Sequence, residues 1–175
     1  GSLEIQNDSG LGVETGVEKR NDTKTATGNN IGNGGIVEIN ADLILLTDGS
    51  SINSETGGTG KAGEIKINAN TISLNSSDIR SNTLGSGDAG TIKIDTDSLI
   101  LDDDGNISSI TFSSGKGGNV ELQIQKDLAV RNQSSVSVSS SFLENATNDN
   151  QLGAAGNMNI QAGKVELNNQ SRLVA

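Results

Sequence analysis

The 175-residue sequence predicts an all-β solenoid, a parallel β-helix with three short strands in each coil of about 27–28 residues. Two observations predict it. First, a glycine-rich stretch recurs five times, read most cleanly at Gly60-Lys61-Ala62-Gly63-Glu64-Ile65-Lys66-Ile67, and the second glycines of the copies (Gly35, Gly63, Gly90, Gly118, Gly156) lie 28, 27, 28 and 38 residues apart. Second, every copy is followed by apolar residues at fixed offsets in period-two alternation, the signature of half-buried strands rather than helices.

Composition agrees with thin, repeated layers. With 1% aromatic residues, two Phe and no Trp, Tyr, His, Pro or Cys, the chain lacks the large side chains of an ordinary globular core. Its apolar residues are mainly Ile, Leu and Val, which suits a core assembled coil by coil. A formal charge of −10 argues against nucleic acid or an anionic membrane as partner, since both need clustered Lys and Arg. No apolar run approaches a membrane span, and no signal peptide opens the chain. Gly1-Ser2 has the form of an expression scar.

In chain order, Leu3-Glu4-Ile5 followed by Leu11 matches Ile44-Leu45-Leu46 followed by Ile52, so residues 3–13 read as the second half of an earlier coil, truncated at its N-terminal side. Residues 12–31 are polar and aperiodic and read as a surface-loop insertion. A second insertion, 139–152, leaves from the same corner of the coil. The whole of 1–175 is read as a single segment interrupted by these two loops.

Each full coil then repeats one plan. The first strand carries inward pairs Val37/Ile39, Ile65/Ile67, Ile92/Ile94, Val120/Leu122 and Met158/Ile160. The second carries Ile44/Leu46, Ile72/Leu74, Leu99/Leu101, Leu128/Val130 and Val165/Leu167. After a polar turn, Ile52, Ile79, Ile107, Val136 and Leu173 open a third short strand. The turn glycines Gly32, Gly35, Gly60, Gly63, Gly87, Gly90, Gly115, Gly118, Gly153 and Gly156 are expected to supply positive φ, with a small residue between each pair leaving room for the next coil. A polar row, Asn40, Asn68, Asp95, Gln123 and Gln161, is expected to stack between strands one and two. On the outer face of strand one, Glu38, Lys66, Lys93, Glu121 and Asn159 form a ladder in which Glu38 meets Lys66 and Lys93 meets Glu121.

The run GNGGIVEINADLILLTDGSSINSETGGTGKAGEIKINANTISLNSSDIRSNTLGSGDAGTIKI resembles the tandem repeats of filamentous-haemagglutinin-like large exoproteins, the secreted partners of two-partner secretion systems. The resemblance covers residues 32–175 and the fragment 3–13. It implies a right-handed parallel β-helix, export through an outer-membrane transporter, an extracellular or outer-surface location on a Gram-negative bacterium, and a role in adhesion or matrix formation. The secretion domain of that family, with Asn-Pro-Asn-type motifs, has no counterpart in a chain without Pro, so transporter recognition falls on no residue here.

Chemical readings of individual motifs are weak by comparison. Gly32-Asn33-Gly34-Gly35 has the look of a phosphate-cradling loop, but it leads into a strand, lacks the Lys-Ser/Thr pair and recurs in every coil. Asp102, Asp103 and Asp104 are the weak candidates for a calcium site, against a solvated acidic turn as the plainer reading. No cofactor is expected, and no enzyme activity: His is absent, and Glu38 and Glu121 fall three coils apart, about 14 Å at the spacing of parallel strands. Candidate interaction residues are Leu43, Leu45 and Ile100, outward-facing on strand two, with Phe142 and Leu143 in the second insertion.

The expectation is therefore a non-enzymatic shaft and display segment of an adhesin-like exoprotein. Its receptor would be a surface glycan or protein, with end-to-end self-association as a further contact. The alternatives are the stalk of a contact-dependent toxin-delivery protein and a carbohydrate-active β-helix.

Overall fold

The computed structural model describes residues 1–15, 17–20, 23–26, 32–140 and 153–175. The described residues form fourteen strands and no helix. In chain order they are β1 (Ser2–Ile5), β2 (Gly10–Thr15), β3 (Val17–Arg20), β4 (Thr23–Ala26), β5 (Ile36–Leu46), β6 (Ser51–Thr56), β7 (Glu64–Asn75), β8 (Asp78–Arg80), β9 (Thr91–Asp102), β10 (Asn106–Thr111), β11 (Asn119–Val130), β12 (Ser135–Ser140), β13 (Asn157–Leu167) and β14 (Arg172–Val174). Two six-stranded parallel sheets result, β1-β5-β7-β9-β11-β13 and β2-β6-β8-β10-β12-β14, and the chain alternates strictly between them once it leaves the β3–β4 hairpin. This is the connectivity of a β-solenoid, each coil giving one strand to each sheet.

The register follows the repeat residue for residue. Ile39, Ile67, Ile94, Leu122 and Ile160 are successive partners, as are Ile52, Ile79, Ile107, Val136 and Leu173. Leu3 and Ile5 pair with Ile44 and Leu46, and Leu11 with Ile52, so the opening residues do continue the coil pattern. Burial depends on having a coil on either side. Ile65, Ile72 and Ile92 are fully buried, whereas Val165 and Leu167 in β13, paired on one side only, remain 48% and 46% exposed.

Three expectations are corrected. The coil has two strands, not three, because strands one and two are halves of a single strand of 11 or 12 residues. Inward alternation changes phase midway, from Val37 and Ile39 to Ile44 and Leu46, while the pairing between coils carries on through it. Small inward residues at the change of phase, Ala41 and Ala69, let β5 and β7 reorient at the same place without a slip in pairing. Residues 12–31 are not loop throughout: Gly12–Thr15 belong to β2, and β3 pairs antiparallel with β4. Ser139 and Ser140 likewise belong to β12, in register with Ile110 and Thr111.

The third correction concerns the glycines. Among the described residues only Gly49 is a glycine with positive φ, at 77°. Left-handed backbone sits instead at the corner between the two sheets, on Asn7, Asp8, Asp48, Ser76, Asp103, Asp104, Asn132, Gln133, Asn169 and Gln170, residue types that mostly tolerate it. The repeat glycines are needed for space. A Cβ on Gly90 would fall on both the Gly63 carbonyl oxygen and Ser81 Oγ, and Gly63 stands in the same relation to Gly35 and Ser54.

Small departures from the period have local causes. The corner after β7 has one left-handed residue, Ser76, where its neighbours have two, which accounts for the 27-residue coil. In β11 the pairing slips between Ile124 and Asp127, a bulge that adds one residue to the 38-residue coil. The rest of that excess falls between Ser140 and Gly153.

Candidate functional site

The first half of each long strand turns alternate side chains outward, and parallel register lines them up across coils about 4.8 Å apart. One row is Glu38, Lys66, Lys93 and Glu121; beside it runs Asn40, Asn68, Asp95 and Gln123. Together they line an open groove of about 360 Å³ that crosses four coils. A second hollow of about 400 Å³ continues it toward the glycine turns, sharing Lys93 and Glu121 and adding Asn33, Lys61, Glu64, Thr91 and Asn119.

The ladder pairs differ from expectation in one respect. Lys93 reaches Glu121 at 4.0 Å, but Lys66 turns to Glu64, at 3.1 Å, rather than to Glu38. Glu64 also meets Lys93 at 3.5 Å. It opens β7, two residues before Lys66, so its carboxylate comes between two lysines that are direct register partners. Adjacent like charges are unfavourable on a sheet, and Glu64 compensates both. Partial burial by itself would raise the Glu64 carboxyl, but the hydrogen bonds and positive charges of Lys66 and Lys93 outweigh it and hold the group below its ordinary value.

The inner side of the same turn is built on hydroxyls. Ser54, Ser81 and Ser109 are fully buried, and their Oγ atoms donate to the carbonyls of Gly35, Gly63 and Gly90 at 2.8, 2.7 and 2.8 Å. Thr111 Oγ1 donates to the Gly87 carbonyl at 3.1 Å and Thr83 Oγ1 to that of Asp88 at 2.7 Å. These bonds tie the second sheet to the glycine turn and thereby fix the edge of the groove. The signal was present as Ser and Thr two and four residues after Ile52, Ile79 and Ile107.

The outward apolar residues of the second half-strand are interrupted by polar coils. Leu43, Leu45 and Ile100 are half-buried, and Ser73 lies between Leu45 and Ile100 in the register. Ile100 borders a separate hollow of about 290 Å³ with Ser98, Ala129, Arg131, Lys164 and Glu166. There Glu166 accepts from Lys164 at 3.4 Å and faces Arg131 at 3.2 Å, and that hydrogen bond and the arginine charge keep its carboxyl below the ordinary range. Phe142 and Leu143 lie outside the described residues.

Asp102, Asp103 and Asp104 form a corner rather than a converging set of ligands. Asp103 and Asp104 are left-handed, at φ 49° and 63°. Asp102 Oδ1 accepts from the Asp103 N–H at 2.9 Å and from Asn132 Nδ2 at 2.7 Å, and Asn132 Oδ1 accepts in turn from Asn169 Nδ2 at 2.7 Å. Among the described residues no three His, Cys, Asp or Glu side chains come together as a metal cluster.

No family model, curated protein or solved structure matches the chain. The groove's chemistry thus rests on its own residues: ammonium, carboxylate and amide groups that donate and accept hydrogen bonds along a line. Glu38 and Glu121, at its two ends, are three strand spacings apart, about 14 Å, farther than a glycosidase pair.

Proposed function

We propose that this chain is a segment of a right-handed parallel β-helix that serves as shaft and display surface of a secreted or cell-surface adhesin-like exoprotein. The single observation that carries the reading is the groove, a surface lined by charged and amide side chains together with Ile39, Ile67 and Ile94, built only by stacking coils and running along the stack rather than closing into a pocket. The right-handed sense is supported by the strong preference of parallel crossover connections for that hand. A non-enzymatic role is supported by the separation of Glu38 and Glu121, about 14 Å, farther apart than a glycosidase pair.

Export through an outer-membrane transporter and an extracellular location on a Gram-negative bacterium belong to the same reading, supported by the repeat resemblance. End-to-end self-association belongs to the same reading.

Beads coated with the chain test the proposal. They should attach to surfaces bearing matrix proteins or glycans above beads coated with an inert protein, and should release no new reducing ends from polysaccharides. Release of reducing ends, or attachment no greater than the control, would overturn it.

A further inference from the structure

We infer that the groove binds a linear, uncharged glycan lying along the stack axis, across the strands. The inference rests on the display reading above and names its ligand class.

Direction comes first. The outward rows run from coil to coil, so a ligand that uses more than one rung must be elongated and must follow them. Neighbouring rungs are about 4.8 Å apart, whereas an extended peptide repeats its side-chain direction every two residues, or about 6.6–6.8 Å. A peptide therefore falls out of step with the rungs, while a polyhydroxylated chain presents donors and acceptors densely enough to meet each rung. Asn68 and Gln123 offer amides that both donate and accept, which matches hydroxyl groups.

Charge then narrows the class. The two hollows hold Lys66, Lys93 and Lys61 against Glu38, Glu64, Asp95 and Glu121, on a chain of net charge −10, so a polyanion meets an acidic surface. A polycation fares no better at the centre, where Lys66 and Lys93 stand side by side. With Lys66 and Lys93 each already held by a carboxylate, the centre has no unpaired cation to offer an anionic ligand. No Trp or Tyr exists to stack on sugar rings. Affinity must come from many modest hydrogen bonds and should grow with ligand length.

The test is retention of the whole chain on immobilised oligosaccharides. Neutral glucan, mannan and galactan hexasaccharides are compared with their disaccharides, with oligogalacturonate, with a sulfated hexasaccharide and with oligolysine. At least one neutral hexasaccharide should be retained, its disaccharide much less, and about 0.5 M NaCl should leave retention unchanged because no ion pair is involved. The double variant Asn68→Ala/Gln123→Ala should lose about ten-fold, the equivalent of one or two hydrogen bonds. Lys164→Ala, outside the groove, should lose nothing, and urea melts of both variants establish that they fold. Preference for an acidic glycan or oligolysine, or an unaffected double variant, would overturn the inference. Coated beads that attach to matrix protein while no oligosaccharide is retained would overturn it and leave the display reading intact; failure of both would remove both.

Discussion

Replacing Gly90 by Ala isolates what holds successive coils at their distance. The added Cβ would land on the Gly63 carbonyl oxygen and on Ser81 Oγ, the two atoms joined by a 2.7 Å hydrogen bond. Backbone and buried hydroxyl must both give way. Overpacking of this kind costs about 1–3 kcal/mol and loss of the hydrogen bond about 0.5–1.5, so the variant should be destabilised by about 2–4 kcal/mol. Gly49 provides the contrast. Its φ of 77° makes Ala strained, but the nearest atom to a Cβ there is 3.5 Å away, so Gly49→Ala should cost only about 1 kcal/mol. The double variant Gly90→Ala/Ser81→Ala should cost less than the two single changes combined, by at least about 0.5 kcal/mol, because removing Oγ relieves one of the two collisions. Equilibrium urea unfolding followed by circular dichroism measures all four. A Gly90→Ala protein within about 0.5 kcal/mol of the parent, or one less affected than Gly49→Ala, would refute the space argument.

Three further outcomes are expected. Ile67, buried between Ile39 and Ile94, should not tolerate Asp: an unpaired buried carboxylate costs several kcal/mol, and a parental melting temperature in Ile67→Asp would contradict the register. Acid should weaken the fold. Glu64 and Glu166 have folded-state pKa values below their ordinary 4.5, so their contribution is complete above that pH and is lost as pH falls through the lowered values; thermal melts between pH 7 and pH 3 that show no loss below about pH 4.5 would count against the ion pairs. Millimolar calcium should move the melting midpoint by no more than about one degree, since the Asp102–Asp104 carboxylates serve the turn; saturable stabilisation would identify a bound ion instead.

Much of the fold was legible because it depends on one-dimensional regularity. Pairing of Ile39 with Ile67 and of Ile52 with Ile79 follows directly from the repeat, and so does the resumption of the pattern at Leu3, Ile5 and Leu11. What was misread depends on backbone direction. The polar residues Asn40 and Asp42 have the composition of a break between strands, yet the ladder runs past them, because β5 and β7 change inward phase at the same place and keep their pairing through it. The glycines carry the same ambiguity: positive φ and close approach both select Gly, and only the positions of Gly63 and Ser81 around Gly90 separate the two. In the groove the rows were readable, but the partner of Lys66 was not. A strand-opening Glu64 reaches sideways along its own strand, a contact that pairing arithmetic between coils does not contain.

The central claim is that coils stack in one register and so make a continuous groove. Absence of Cys makes paired cysteine substitution the most direct measurement of it. Register partners in parallel strands lie about 4.8 Å apart, inside the range a disulfide spans, whereas a slip of two residues puts the Cα atoms about 8 Å apart and outside it. Lys66→Cys/Lys93→Cys and Glu121→Cys/Asn159→Cys combine register partners across the groove face, and Lys66→Cys/Asp95→Cys combines residues two out of step. Mild oxidation followed by thiol counting should show the first two proteins closing readily within one molecule and the third remaining a dithiol. Closure of the slipped pair in preference to the register pairs would contradict the stacking and, with it, the groove.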